Sequence, residues 1–166
     1  FIHACRRNID LTAIILNNFN FGMTGGQVSG TTPPQRYTST TAYGNPERDF
    51  DICALAESAG ANYVARCTPY HGWEMKENMK EALTKKGFSV VEVVSPCPTH
   101  FGRHNEMKET PDMLHWLRDR AIAVEEYRRL PETERAERLA IGTLVSRDVP
   151  DFNTQYELVK ARAQKG

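Results

Sequence analysis

Residues 62–94, NYVARCTPYHGWEMKENMKEALTKKGFSVVEVV, decide the fold. The stretch opens on a short strand-like run (62–66, NYVAR). It passes through residues 71–86, where Met75, Met79, Ala82 and Leu83 fall at i, i+4, i+7 and i+8, the spacing of one helix face. Gly87 ends that helix, and residues 88–94 (FSVVEVV) are again β-branched and apolar. Strand, helix and strand at these lengths make a βαβ unit, whose two strands lie parallel with a right-handed crossover.

Working outward, residues 11–16 (LTAIIL) form another apolar run, expected as a strand buried on both faces of a parallel sheet. Residues 49–59 read as a helix with Phe50, Cys53 and Ala54 on one face and Gly60 as its C-cap. The predicted class is therefore α/β with a parallel sheet. Beyond Cys97 the pattern changes. Residues 113–129 read as one helix with Leu114, Leu117, Ala121 and Val124 inward, residues 131–138 as a charged helix, 141–145 as a late strand and 151–163 as a terminal helix. The expected organisation is an α/β domain over 1–110 and a helical extension over 111–166, packed on that domain or on a partner subunit.

Basic and acidic residues balance at 21 each, leaving no net field to draw nucleic acid or an anionic membrane surface. Mean hydropathy is −0.55, and no apolar run approaches the ~20 residues that span a bilayer. The first residues lack the charged start and apolar stretch of a signal peptide. A soluble cytoplasmic protein that binds neither nucleic acid nor membrane is expected. The opening FIHACRRN (1–8) reads as the end of a helix already under way, so the chain is expected to continue upstream. The cysteines Cys5, Cys53, Cys67 and Cys97 include no C-x-x-C pair, and a disulfide framework is not expected.

Two strand ends carry unusual residues, and ligands gather beyond the carboxyl ends of parallel strands. After residues 11–16 comes Asn17-Asn18-Phe19-Asn20-Phe21-Gly22-Met23-Thr24-Gly25-Gly26-Gln27, the start of a long loop over 22–45 without periodicity. Loops of that length inside a domain are functional or misassigned. Amide oxygens suit a hard cation such as Mg²⁺. Glycines let backbone N–H groups approach a phosphate, to which the Thr24 hydroxyl can also donate. A polar turn that closes on itself is the alternative. After residues 88–94 comes Ser95-Pro96-Cys97-Pro98-Thr99-His100. Two prolines hold Cys97 on a rigid, non-helical backbone, which suits a fixed metal ligand. The alternative is a packed thiol, which is the expectation for Cys5, Cys53 and Cys67. His71, His100 and His104 are expected to be solvated or to stand behind the site.

The first stretch resembles the second half of the thiamine-diphosphate motif, in which Gly-Asp-Gly is followed downstream by an asparagine-bearing strand end. In the β subunits of 2-oxoacid:ferredoxin oxidoreductases that end reads much like N-x-x-Y-x-M-T-G-G-Q-x-S-P-T-T-P, against NNFNFGMTGGQVSGTTP at 17–33 here. Phe21 stands where tyrosine is usual and Gly30 where proline is usual. Residues 42–47 (AYGNPE), Val64-Ala65-Arg66 and the S-P-C-P-T stretch follow in family order.

The resemblance implies thiamine diphosphate and Mg²⁺, with the Asn18 side chain and the Asn20 backbone carbonyl on the metal. It also implies Thr24 on the diphosphate, Met23 near cofactor and substrate, and Phe21, Gly22, Gly25 and Gln27 completing the cofactor set. Cys97 is implied as one thiolate of a 4Fe–4S cluster, which takes four; the other three, and the aspartate of Gly-Asp-Gly, are expected upstream of Phe1. No catalytic acid or base is implied in this chain. The implied reaction is oxidative decarboxylation of a 2-oxoacid with coenzyme A, giving acyl-CoA, CO₂ and reduced ferredoxin, in an assembly with an α subunit. Phe101-Gly102-Arg103 looks most like the 2-oxoglutarate members, whose product is succinyl-CoA. Pyruvate or a branched-chain 2-oxoacid is the rival substrate, and a non-catalytic α/β binding module is the rival of another class.

Overall fold

The computed structural model describes residues 1–107, 109–136 and 138–165. The chain begins with α1 (Ile2–Arg7) and β1 (Leu11–Asn17), then a small hairpin of β2 (Asn20–Phe21) and β3 (Gln27–Val28). α2 (Ile52–Ser58), β4 (Tyr63–Cys67), α3 (Gly72–Thr84) and β5 (Phe88–Val94) follow. After a π-helical turn at Pro98–Gly102 come α4 (Thr110–Arg120), β6 (Ala121–Ala123), α5 (Val124–Tyr127), α6 (Glu132–Arg135), β7 (Leu139–Ser146) and α7 (Phe152–Ala163).

The strands form one sheet in the order β1-β5-β4-β7-β6. β5 pairs parallel with both β1 and β4, as the βαβ reading requires. β7 then pairs antiparallel with β4, and β6 parallel with β7. β4 and β5 are buried at every position, because both faces are covered. On one face Cys5, Cys53, Ala56, Val64, Phe88 and Val90 pack together. On the other, Tyr63, Ala65, Cys67, Val91 and Val93 pack against Ala82, with Met75 and Met79 at the margin.

Several expectations need correction. β1 is an edge strand, not one buried on both faces: Ile14 and Leu16 are exposed, Leu16 by 66%. Periodicity reports apolar composition, but neighbours decide burial. The helix expected from residue 49 starts at Ile52, because the Asp51 carboxylate accepts from the Ala54 N–H (2.9 Å) and caps it. Phe50 and Ala54 are exposed while Cys53 is buried. Leu83 of α3 also faces solvent. Gly60 follows the end of α2 as expected, at φ 94°, a region that favours glycine. But α3 ends at Thr84, with Lys85 already extended, so Gly87 (φ 88°) turns the chain into β5 rather than ending the helix.

The expected helix over 113–129 breaks at Arg120. Ala121–Ala123 leaves it to pair with Leu139–Ile141 on the free edge of β7, so a sheet edge overrides helical spacing. Val124 is buried in the separate α5, and Leu114 is only half-buried. The late strand is present and longer than expected, and the terminal helix matches. Of the charged helix expected over 131–138, Glu132–Arg135 is helical; Glu137 lies outside the described residues. The loop over 22–45 is not devoid of regular structure, since it contains β3.

Candidate cofactor site

Register puts two strand ends side by side. Asn17 at the end of β1 pairs with Val94 at the end of β5, so the segments that leave the sheet there touch. The Ser95 N–H donates to the Asn17 carbonyl (2.9 Å) and the Cys97 N–H to the Asn18 carbonyl (3.1 Å). The two motifs of the sequence reading thus form one site.

Asn17 itself points inward. Its Oδ1 accepts from the Phe19 N–H (3.0 Å) and the Thr31 hydroxyl (2.7 Å), and its Nδ2 donates to Glu92 (2.8 Å). Phe19 takes φ 61°, left-handed backbone that costs a bulky residue about 1–3 kcal/mol. Its ring lies 5.2 Å from that of Phe101, in a buried group with Val94, Met113 and Leu117, and its carbonyl accepts from Thr32. The surroundings therefore hold the strained turn. On either side of it stand Asn18, exposed, and Asn20, buried.

A cavity of about 520 Å³ opens here, lined in part by Asn18, Asn20, Phe21, Gly22, Met23 and Thr24. Six of the predicted residues are therefore brought together. Met23 is fully exposed at its rim. Gly25 and Gln27 stand outside the lining, on the far side of the turn. There the Thr24 hydroxyl donates to Gln27 Oε1 (2.6 Å) and Gln27 Nε2 donates to the Thr24 carbonyl (2.8 Å). The Gly25 and Gly26 N–H groups donate to the carbonyls of Gly22 and Phe21, so they close the turn rather than point outward. Oriented so that both its ends are satisfied, the Asn20 amide donates to the Asn18 carbonyl and accepts from the Phe101 N–H, each at 3.3 Å. That leaves the Asn18 side chain as the amide facing outward.

Cys97 keeps an extended backbone (φ −70°, ψ 115°), and its carbonyl accepts from both the Phe101 and Gly102 N–H groups. It is half-buried, whereas Cys5, Cys53 and Cys67 are buried in the core. Burial pushes the Cys67 thiol up to about 11 and raises Cys53 well above its ordinary value. One half-buried thiol thus stands apart from three core thiols. His100 packs against Gly26, His104 Nδ1 meets the His100 carbonyl (2.5 Å), and His71 Nδ1 meets the Thr68 hydroxyl (2.8 Å). Arg103 is exposed, and Phe101 is a core side chain.

Sequence reasoning missed the charged residues behind the site. Arg66 Nε donates to Glu92 Oε2 (2.7 Å) and its Nη2 to Asp51 Oδ1 (2.5 Å). The signal was present: an acid within FSVVEVV and an arginine within NYVAR, in strands buried on both faces, where charges persist only when paired. Asp51, Cys53 and Glu92 also have the spacing of a metal-binding group. Arg66 already compensates both carboxylates there. A second cavity of about 210 Å³ lies on the inner side of Asn17, lined among others by Arg36, Arg66, Glu92, Trp116 and Arg138.

Against known proteins, residues 1–93 match the C-terminal TPP-binding domain of thiamine pyrophosphate enzymes. The chain belongs to this family. The chain is 43% identical over 152 residues to 2-oxoglutarate synthase subunit KorB of Methanocaldococcus jannaschii, covering 92% of this chain and 56% of that protein. KorB of Archaeoglobus fulgidus is 59% identical over 100 residues, 60% of this chain and 38% of that protein. The fold matches that of a 2-oxoglutarate:ferredoxin oxidoreductase from Magnetococcus marinus, solved with 2-oxoglutarate, coenzyme A and succinyl-CoA bound. The TM-score is 0.79 at 24% identity, over 98% of this chain and 56% of that one. The resemblance read from MTGGQ and SPCPT is borne out. The chain spans about half the length of the curated relatives it matches. Among the described residues, no helix is long and apolar enough to cross a membrane.

Proposed function

We propose that this chain is the cofactor-binding portion of the β subunit of a cytoplasmic 2-oxoacid:ferredoxin oxidoreductase that acts on 2-oxoglutarate. With coenzyme A the reaction gives succinyl-CoA, CO₂ and reduced ferredoxin. The observation that carries the reading is the contact between the Asn18–Thr24 cavity and Cys97, joined by the hydrogen bond from the Cys97 N–H to the Asn18 carbonyl. A diphosphate site alone serves any thiamine enzyme; a rim thiol held against it fits one that passes on electrons.

In this reading the Asn18 amide oxygen and the Asn20 carbonyl hold Mg²⁺, in keeping with the few protein ligands magnesium takes. Thr24 turns its hydroxyl from Gln27 to the diphosphate, and Met23 covers the rim. Cys97 gives its thiolate to a 4Fe–4S cluster whose remaining ligands lie elsewhere in the subunit. When bound, thiamine diphosphate supplies the electron sink for loss of CO₂ and the cluster accepts the electrons released. The chain's own part is to bind, orient and keep the two groups adjacent. An α subunit completes the assembly.

The test uses the full-length subunit with its α partner. Turnover of 2-oxoglutarate, pyruvate and a branched-chain 2-oxoacid is followed by reduction of ferredoxin or viologen with coenzyme A present. Reduction is expected with 2-oxoglutarate and strongly reduced in Cys97→Ala. Reduction by pyruvate alone would overturn the substrate, and no thiamine diphosphate binding at all would leave a non-catalytic module.

A further inference from the structure

We propose that Asn17 and Glu92 are positioning residues for the magnesium–diphosphate site, setting the geometry of Asn18 and Asn20 through the strained turn at Phe19. The proposal rests on the functional reading above and extends it to Asn17, which borders both cavities, and to Glu92, which lines only the inner one.

Glu92 is 3% exposed in the middle of β5, flanked by the valines at 90, 91, 93 and 94. Packing alone would be served by another valine, since an ionised carboxylate there must be fully paired to be tolerated. Both of its oxygens are engaged, and each by a different strand. Oε2 accepts from Arg66 on β4 and Oε1 from Asn17 on β1, so one carboxylate ties together the three parallel strands of the sheet.

The tie has a direction. A carboxylate only accepts, so Asn17 must offer Glu92 its NH₂ end. That leaves Asn17 Oδ1 facing the other way, where it accepts from the Phe19 N–H and the Thr31 hydroxyl. These two bonds hold Phe19 at φ 61° and fasten the loop after β3 to the same point. Phe19 lies between Asn18 and Asn20, so its backbone sets where the Asn18 side chain and the Asn20 carbonyl stand relative to each other. Strained backbone of this kind gathers at sites whose geometry matters.

The experiment titrates MgCl₂ into the full-length subunit, assembled with its α partner at saturating thiamine diphosphate, following the cofactor's near-ultraviolet circular dichroism. Glu92→Gln and Asn17→Asp are each expected to raise the Mg²⁺ midpoint about tenfold or more. In the first, the new amide sets one of its two ends against the wrong partner. In the second, the new carboxylate faces Glu92 without a donor. The double variant restores the pattern, because its amide accepts from Arg66 and donates to the carboxylate on β1. Its midpoint should return to within about threefold of wild type. If either single variant does not assemble, Thr31→Val cuts the same chain at its outer end and should raise the midpoint about threefold. A purely structural role would lower the Tm of the single variants and leave the midpoint where it was. Unchanged midpoints, or a double variant no better than the singles, would overturn the proposal. A wild-type protein without any Mg²⁺-dependent signal would instead overturn the functional reading beneath it.

Discussion

A β-carbon placed on Gly22 would stand 3.3 Å from the sulfur of Cys97. The loop after β1 and the Cys97 thiol are thus packed together, with no space for a side chain between them. Gly22→Ala should displace the Cys97 sulfur by a few tenths of an ångström. In the full-length subunit we expect iron content or the cluster's paramagnetic signal to fall while the Tm stays within about 2 °C, as for a small change at an exposed site. An unaltered cluster signal would show that the contact has no role in holding the metal.

Gly26→Ala should be worse, and for a different reason. The new β-carbon would lie 2.7 Å from His100 Cβ, on a backbone at φ 86°. Steric contact and left-handed strain act together, so a loss of about 2 kcal/mol is expected by denaturant unfolding. Equal stability of the two alanine variants would contradict the close packing of the loop on the π-helical turn.

Thiol chemistry separates the cysteines. Cys53, Cys67 and Cys5 are all raised by burial, Cys67 to about 11, and a neutral thiol neither alkylates nor binds iron. In cluster-free protein, native labelling near pH 8 should therefore modify Cys97 before these three, by about tenfold or more in rate. Comparable labelling at a second cysteine would place that residue outside the core.

Acid should loosen the junction between α1, α3 and β5. Hydrogen bonds from Lys86 and from the Gly87 N–H hold the Asp10 carboxylate below its ordinary value, and Thr154 does the same for Asp151. A carboxylate lowered in the folded state contributes stability above its unfolded value, and that stability is lost as the pH falls through the folded one. Asp49, raised by burial, acts in the opposite sense. The Tm should fall between about pH 5 and about pH 3, with a shallower fall in Asp10→Asn. An identical acid limb in that variant would remove Asp10 from the account.

Phe101 is buried to 0% exposure, joining Phe19 to Met113 and Leu117 of α4. Phe101→Ala should cost about 3–5 kcal/mol, a fall in Tm of roughly 10 °C for a chain of this size. A small loss would mean that the segment after Cys97 packs only loosely on the site.

Much of this was legible in the residues. The βαβ core followed from the apolar runs at 62–66 and 88–94 with helical spacing between them. The asparagine-bearing strand end with its glycines and the proline-flanked cysteine announced themselves by residue type. What stayed hidden were events set by distant partners. Ala121–Ala123 joined a sheet edge instead of continuing a helix, and Leu16 lay on an edge strand though its neighbours in sequence matched those of a buried one. The ion pair of Arg66 with Glu92 joins two strands and is not legible in either one alone.

By itself the sequence determined the α/β class, the parallel core and the kinship with thiamine pyrophosphate enzymes, because periodicity, turn residues and motif spacing are local properties of the chain. Only the tertiary structure decided that Asn18 and Cys97 share one site and that Glu92 stands behind it. Both depend on β1 and β5 lying side by side in register, and contacts between residues that far apart along the chain arise only when the sheet assembles.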